Sequence, residues 1–217
     1  MSALVAVIDV GSGNLRSVEK ALTRAISDAG INARVEITSR SESVAEATHI
    51  VLPGVGAFAD CMAGLSNNPG MIEALAAHVY RGGKPFLGIC VGMQLMASVG
   101  REHGDCAGLD WISGEVVRLA PSDAQLKVPH MGWNELNLVR NHAVFAALAQ
   151  GAPSHAYFVH SFHFVPGQEN DIIAVSAHGG RVVAAVGRNN LLGTQFHPEK
   201  SQALGLDLLA RFVRWRP

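Results

Sequence analysis

The sequence is short of cysteine, and the few cysteines it has are widely spaced. Three cysteines occur among 217 residues, and an odd, scattered set predicts neither a disulfide framework nor a zinc site. Chains without disulfides are typical of reducing compartments, so we expect a cytoplasmic protein. No motif indicates a metal ion or another cofactor, and we expect none.

Net charge and long apolar runs are also lacking. Lysine and arginine number 17 against 18 for aspartate and glutamate, which argues against a nucleic acid or a membrane held by bulk electrostatics. No apolar run approaches the ~18 residues of a membrane-spanning helix, and the first residues lack the basic segment of a signal peptide. We expect one domain over residues 1–217, because no linker or repeat divides the chain.

Strand and helix patterns alternate in the first half of the chain. Apolar strands are predicted at 3–10, 33–38, 49–52 and 85–87, and helical segments at 15–29, 42–46, 58–65, 71–80 and 94–99. This alternation predicts an α/β fold with a mostly parallel sheet and helices on both faces. Functional groups gather beyond the carboxyl ends of the strands in such sheets.

The second half is richer in strands and predicts an antiparallel extension of the sheet. Its strand-like stretches lie at 115–119, 135–138, 156–162, 172–177, 182–186 and 191–196. An amphipathic helix at 201–215 is expected to close the chain.

The segment from Gly88 to Gly92 forms the corner between a predicted strand and a predicted helix. It follows the G-x-nucleophile-x-G pattern of a nucleophile elbow, with Cys90 in the central position. A thiol at a helix N-terminus is favoured as the thiolate, and the N–H of Val91 points to where an oxyanion would form. A buried structural cysteine between two packing glycines is the alternative.

A nucleophilic cysteine requires a base, and His197 is the best candidate among ten histidines. Glu199 lies two residues on, so that in an extended segment both side chains point to one side, and Pro198 favours that conformation. A carboxylate beside an imidazole fixes its tautomer and stabilises the imidazolium. Spacing alone leaves open whether His197 reaches Cys90. A metal cluster is not expected, because no ligand pattern fits His155, His160 and His163.

Together these motifs resemble the class I (triad) glutamine amidotransferases. The resemblance rests on 88–94 and 196–199, and four further segments resemble a branch whose glutaminase serves a cyclase in histidine biosynthesis: 8–17, 52–58, 129–134 and 157–162. It implies a flavodoxin-like sheet and covers nearly the whole chain. Val10 stands where the family often has Tyr and Val91 where it usually has Leu, but both remain apolar.

The resemblance implies a chemical role for each residue of the triad. Cys90 is expected to attack the amide of L-glutamine, and His197, oriented by Glu199, to take the thiol proton and pass one to the leaving ammonia. The N–H groups of Val91 and of Val55 are expected to hold the oxyanion. Val55 is flanked by Gly54 and Gly56, which would let the peptide reorient, so we expect an oxyanion hole that is unformed at rest.

The remaining implied residues bind the substrate or the partner. The glutamine head group is expected at Gln94, Gly54, His160, Ser161 and Phe162. Ammonia is protonated readily in water, so the resemblance implies direct delivery to a (β/α)₈-barrel cyclase subunit in a heterodimer. The interface is expected at Gly11, Ser12, Gly13, Asn14, Trp133 and Lys200. Trp133 is equally compatible with a place in the core, and Cys61 and Cys106 match no motif and are expected to be spectators.

Two other functions remain open at the level of sequence. The chain could be the glutaminase of another synthase, such as anthranilate synthase or pyridoxal phosphate synthase, although 8–17 and 129–134 argue against this. It could also be an inactive scaffold that binds a barrel partner, which the intact Cys90, His197 and Glu199 argue against.

Overall fold

A computed structural model describes residues 2–152 and 154–217; Met1 and Pro153 lie outside the described residues. In chain order the strands are β1 Ala3–Ile8, β2 Ala33–Thr38, β3 His49–Gly54, β4 Phe86–Cys90, β5 Val99–Gly100, β6 Cys106–Ala107, β7 Gly114–Arg118, β8 His130–Glu135, β9 Asn137–Leu138, β10 His155–His160, β11 Phe162–Pro166, β12 Ile172–Ala177, β13 Arg181–Arg188 and β14 Leu191–Thr194. The helices are α1 Leu15–Asp28, α2 Ser41–Glu46, α3 Phe58–Ser66, α4 Met71–Ala76, α5 Val91–Gln94, α6 Ala146–Ala149 and α7 Gln202–Arg214.

Eight strands form the central sheet, in the order β2-β1-β3-β4-β14-β13-β12-β9. The first five are parallel to one another, whereas β13, β12 and β9 add an antiparallel edge. The 2-1-3-4 order is that of flavodoxin-like sheets. The predicted mostly parallel sheet with an antiparallel extension is therefore confirmed.

The parallel strands are buried along their length, as continuous apolar sequences predict. All residues of β3 and β4 are buried, which is typical of strands covered on both faces. Helix α1 buries a stripe that includes Val18 and Leu22 and packs against α7, which buries Leu208 and Phe212 in turn. These stripes follow the helical period, and their burial stabilises both helices in the fold. No helix in the described ranges has the length and apolarity to cross a membrane.

Two smaller sheets lie outside the central one among the described residues. One pairs β8 with β10 in antiparallel register, and the other has the order β11-β7-β5-β6. The predicted strand at 156–162 is therefore wrong as one element, because it divides at Ser161 into strands of different sheets. The predicted strand at 135–138 is likewise two strands, and β8 begins at His130.

The predicted helix at 94–99 is wrong, and its failure has a clear cause. Helix α5 starts directly after Cys90 and ends at Gln94. The carbonyl groups of Leu95, Met96 and Ala97, which would accept hydrogen bonds in a longer helix, accept them instead from the 109–112 segment. The predicted helix at 71–80 is present, with α-helical geometry over Met71–Ala76 and π-helical geometry over Ala77–Arg81.

Candidate active site

Cys90 occupies a strained corner between β4 and α5. Its φ of 54° is in the left-handed region, which residues with a side chain seldom adopt. The glycines on either side make the corner possible. A Cβ atom on Gly92 would overlap the carbonyl oxygen of Leu52 in β3, and one on Gly88 would overlap that of Gly92. The elbow predicted from the sequence is thus present, and both of its glycines are required by backbone packing.

His197 follows β14, the strand that pairs with β4. Thr194 of β14 lies opposite Ile89, so His197 and Cys90 emerge at the same carboxyl edge and line the same cavity. Nδ1 of His197 lies 2.8 Å from Oε1 of Glu199, and the two side chains are 3% and 1% exposed. Nε2 is also buried and has no hydrogen-bond partner among the described residues. Because Nδ1 faces the carboxylate, Nε2 is the ring atom available to a reacting group.

The electrostatics of this histidine favour its charged form. Burial lowers the pKa of His197, but the Cys90 sulfur and the Glu199 carboxylate outweigh burial and raise the pKa to about 10. An imidazolium is therefore favoured at neutral pH, and this charged ring lines the same cavity as the Cys90 sulfur. The arrangement can supply a nucleophilic sulfur and a proton donor at one place.

The segment predicted to hold the oxyanion runs along this edge. Gly54 ends β3 directly opposite Cys90, Val55 is 39% exposed, and Gly56 has a φ of 91° that suits glycine. The Val55 carbonyl accepts a hydrogen bond from the Cys61 thiol at 3.5 Å. Cys61 also lies 3.3 Å from the Ser12 hydroxyl, so it contacts two predicted functional segments rather than standing apart from them.

Two glutamine side chains connect the elbow to the 160–162 segment. Nε2 of Gln94 donates to the Phe162 carbonyl at 2.9 Å and to Oε1 of Gln195 at 3.0 Å. Nε2 of Gln195 in turn faces the Cys90 sulfur at 3.6 Å. Gln195 was not among the site residues predicted from the sequence. Its position two residues before His197, in an extended segment, places it on the same side and was the available indication.

A cavity of about 510 Å³ joins these groups. Its lining includes most of the predicted site residues: Val55, Gly56, Cys90, Val91, Gln94, His160, Ser161, Phe162, His197 and Lys200. It also includes four residues that the sequence analysis did not name: Ala57, Glu102, Pro129 and Val159. Gly54 and Glu199 are absent from the lining, and Glu199 stands behind His197. A larger open depression between α1 and α7, about 620 Å³, contains none of the predicted site residues.

The predicted interface residues lie in two groups. Gly11 is exposed and Ser12, Gly13 and Asn14 are half-buried after β1, outside the cavity lining. Trp133 is 47% exposed, which rules out the alternative of a core tryptophan. Its ring meets that of Tyr157 edge to face at 6.0 Å, and the Lys200 ammonium lies 5.6 Å from the Tyr157 ring centre. Lys200, which lines the cavity, and Trp133 thus both contact Tyr157.

The sheet, the cysteine elbow and the buried histidine–glutamate pair define a class of protein. The chain belongs to the class-I glutamine amidotransferase family, whose profile matches residues 6–214. Its fold is similar to that of a solved glutamine amidotransferase with a TM-score of 0.68 and 19% identity, covering 93% of this chain and 94% of that one. A glutamine amidotransferase from Thermotoga maritima is similar with a TM-score of 0.58 and 17% identity, over 92% of this chain and 77% of that one.

More similar relatives share a single name. The imidazole glycerol phosphate synthase subunit HisH of Agrobacterium fabrum is 54% identical over 214 residues, covering 98% of this chain and 99% of the relative. The subunits of the same name from Rhizobium meliloti and Rhodospirillum rubrum are each 53% identical with the same coverage. The similarity therefore extends over almost the full length of both chains in each comparison.

Proposed function

We propose that this chain is the glutaminase subunit of an imidazole glycerol phosphate synthase. It hydrolyses L-glutamine to glutamate and ammonia, and the ammonia passes to a cyclase subunit that makes imidazole glycerol phosphate and AICAR in histidine biosynthesis. The observation that carries the proposal is the shared cavity of Cys90 and His197, with Glu199 buried behind the imidazole. Identity of 52–54% to HisH subunits supports the choice of synthase.

The first half of the reaction is acyl transfer to sulfur. The Cys90 thiolate attacks the amide carbon of glutamine, and the N–H groups of Val91 and Val55 stabilise the oxyanion of the tetrahedral intermediate. Collapse of that intermediate breaks the carbon–nitrogen bond. His197, protonated and held by Glu199, gives its proton to the leaving nitrogen, which departs as ammonia. A glutamyl thioester on Cys90 remains.

The second half is hydrolysis of the thioester. His197 is now neutral and takes a proton from water as the water attacks the thioester carbon. The same N–H groups stabilise the second oxyanion, and the carbon–sulfur bond breaks to release glutamate and the Cys90 thiolate. The cycle returns His197 to the imidazolium form that its surroundings favour.

Different residues bind the substrate and the partner subunit. The glutamine head group lies against Gln94, Gly54 and the 160–162 segment. Gln94 and the 160–162 segment line the cavity. The cyclase is a (β/α)₈-barrel subunit that docks near Gly11–Asn14, Trp133 and Lys200 to form a heterodimer. Residues 1–217 form one domain and work in the cytoplasm, with glutamine and the cyclase as partners.

Glutamate release from L-glutamine tests the proposal. It is measured for the chain alone, for its complex with the cyclase subunit of the same organism, and for that complex with the cyclase's nucleotide ligand. Strong release in the ligand-bound complex, and none from Cys90→Ala, is expected. Absence of release under every condition would contradict the proposal and favour the inactive scaffold.

A further inference from the structure

A line of buried polar side chains leads away from the cavity to strand β8. His130 on β8 lies directly opposite His160 on β10, and its Nδ1 is 3.1 Å from Nε2 of His160. On its other side, Nε2 of His130 lies 3.0 Å from Nδ2 of Asn134. Both histidines are buried, at 4% and 6% exposure, whereas Asn134 is half-buried.

The partners at the two ends fix the direction of every hydrogen bond. An amide nitrogen only donates, so Asn134 requires an acceptor at Nε2 of His130. The carbonyl of Phe162 only accepts and lies 2.9 Å from Nδ1 of His160, so this Nδ1 must carry the proton. Nε2 of His160 is then the acceptor for Nδ1–H of His130. These three hydrogen bonds form a series from Asn134 through His130 and His160 to the Phe162 carbonyl. One tautomer of each histidine, with the proton on Nδ1, satisfies all of them.

The series continues to the nucleophile through the Phe162 carbonyl. That oxygen accepts hydrogen bonds from both His160 and Gln94. The second amide hydrogen of Gln94 goes to Oε1 of Gln195, which leaves the Gln195 amide nitrogen facing the Cys90 sulfur. A rotated Gln195 amide would instead bring its oxygen against the sulfur and repel a thiolate.

Both histidines are suited to a fixed, uncharged role. Burial lowers the pKa of His130 to about 4, helped by His178, and burial lowers the pKa of His160 to about 3. Each ring therefore has one donor and one acceptor nitrogen at neutral pH, which the directional series requires.

We propose that His130 and His160 are positioning residues for the nucleophile. Through the Phe162 carbonyl they hold the Gln94 and Gln195 amides in the one orientation that presents an N–H donor to the Cys90 sulfur. The inference rests on the proposed role of Cys90 and extends it to two side chains that need not touch the reacting atoms. Loss of the His130 donor leaves a buried acceptor unpaired on His160 and releases the series to reorient.

Packing alone is the competing explanation for His130. Its ring is sandwiched between Phe158, with centroids 4.6 Å apart, and His178, at 4.3 Å. A test must therefore remove the hydrogen bond and the stacking separately.

Two amide substitutions at His130 make this separation. Asparagine places an amide nitrogen near the position of Nδ1 and keeps a donor to His160, whereas glutamine places its amide near Nε2 and does not. Both lose the aromatic ring equally. His178→Ala removes one stacking partner without touching the series. Melting temperatures of all three variants check that they fold.

The variants are compared by glutamate release in the cyclase complex and by the rate of Cys90 alkylation with iodoacetamide, followed by mass spectrometry. We expect His130→Gln to lower kcat/KM and the alkylation rate by roughly tenfold or more. His130→Asn and His178→Ala should stay within about threefold of the parent. Equal values for the Asn and Gln variants, whether high or low, would overturn the inference.

The proposed function and the positioning inference fail in different ways. A parent complex that releases no glutamate contradicts the function, while the alkylation rates still compare the two His130 variants. If neither variant folds, nitrogen-15 NMR of the histidine rings in the parent protein tests the inference instead. Protons on Nδ1 of both His130 and His160 at neutral pH are expected, and a proton on Nε2 of either ring would overturn the inference.

Discussion

Replacing Glu199 with glutamine removes one charge from the site with little change in size. Oε1 of Glu199 lies 2.8 Å from Nδ1 of His197, in surroundings where both side chains are almost fully buried. Glutamine can accept the same hydrogen bond through its oxygen, or it can rotate and donate to Nδ1. The second arrangement places the imidazole proton on Nε2, where it blocks the base function that hydrolysis of the thioester requires.

The size of the effect follows from the kind of hydrogen bond that is lost. A hydrogen bond to a charged group contributes roughly 1.5–3 kcal/mol and a neutral one about 1 kcal/mol. The difference of about 0.5–2 kcal/mol corresponds to a fall of roughly one unit in the pKa of His197. We expect kcat/KM to fall by roughly two- to thirtyfold if the oxygen faces Nδ1, and further if the amide rotates.

The assay is glutamate release by the cyclase complex over a range of pH. Glu199→Gln should lower kcat/KM and shift its alkaline limb toward lower pH, because His197 loses its proton more readily. Glu73→Gln, at an exposed position on α4, is the control for loss of a carboxylate and should match the parent. Parent-like kcat/KM and an unshifted pH profile in Glu199→Gln would refute the role assigned to the buried pair.

Three further predictions concern the fold, acid stability and the interface. Gly92→Ala should unfold at least several degrees below the parent in thermal melts, because its methyl group overlaps the Leu52 carbonyl; an unchanged melting temperature would contradict this. The pKa values of His130 and His160 are lowered by burial, so below pH about 6.5 the unfolded chain binds more protons than the native one. The free energy of unfolding in urea should therefore fall as pH drops from about 6.5 toward 4, and a constant value would count against neutral buried rings. Trp133→Ala should weaken binding of the cyclase by about 2 kcal/mol in calorimetry without lowering the chain's own stability; parent-like affinity would exclude Trp133 from the interface.

The parts of the site that depend on local sequence were predictable. The spacing of Gly88, Cys90 and Gly92 indicates the elbow because a sharp strand-to-helix corner needs glycine around its nucleophile. The spacing of His197 and Glu199 likewise indicates a histidine–carboxylate pair, and the structure brings them within 2.8 Å. In both cases the geometry is set by residues that are neighbours in the chain.

The parts that depend on distant contacts were not predictable. Helix α5 ends at Gln94 because the carbonyl groups that follow it accept hydrogen bonds from a segment some fifteen residues further along the chain. The 156–162 stretch has the composition of one strand, but Ser161 lies between two strands that belong to different sheets. No local pattern records which partner a strand will pair with.

The positions of individual side chains also depend on contacts between residues that are distant in sequence. Cys61 matches no motif, yet the fold places its thiol against the Val55 carbonyl and the Ser12 hydroxyl. Trp133 has a large aromatic side chain of the kind often found in cores, and only the placement of β8 shows that it is 47% exposed. Gln195 meets the Cys90 sulfur across two strands that are about a hundred residues apart in sequence.

The most direct test of the account is covalent labelling by a glutamine analogue that carries a diazoketone in place of the amide. The complex is incubated with the analogue, digested and analysed by mass spectrometry, with excess L-glutamine as competitor. We expect one adduct on Cys90, suppressed by glutamine and absent from Cys61 and Cys106. No adduct on Cys90, or labelling that glutamine does not suppress, would contradict the claim that Cys90 is the nucleophile for glutamine.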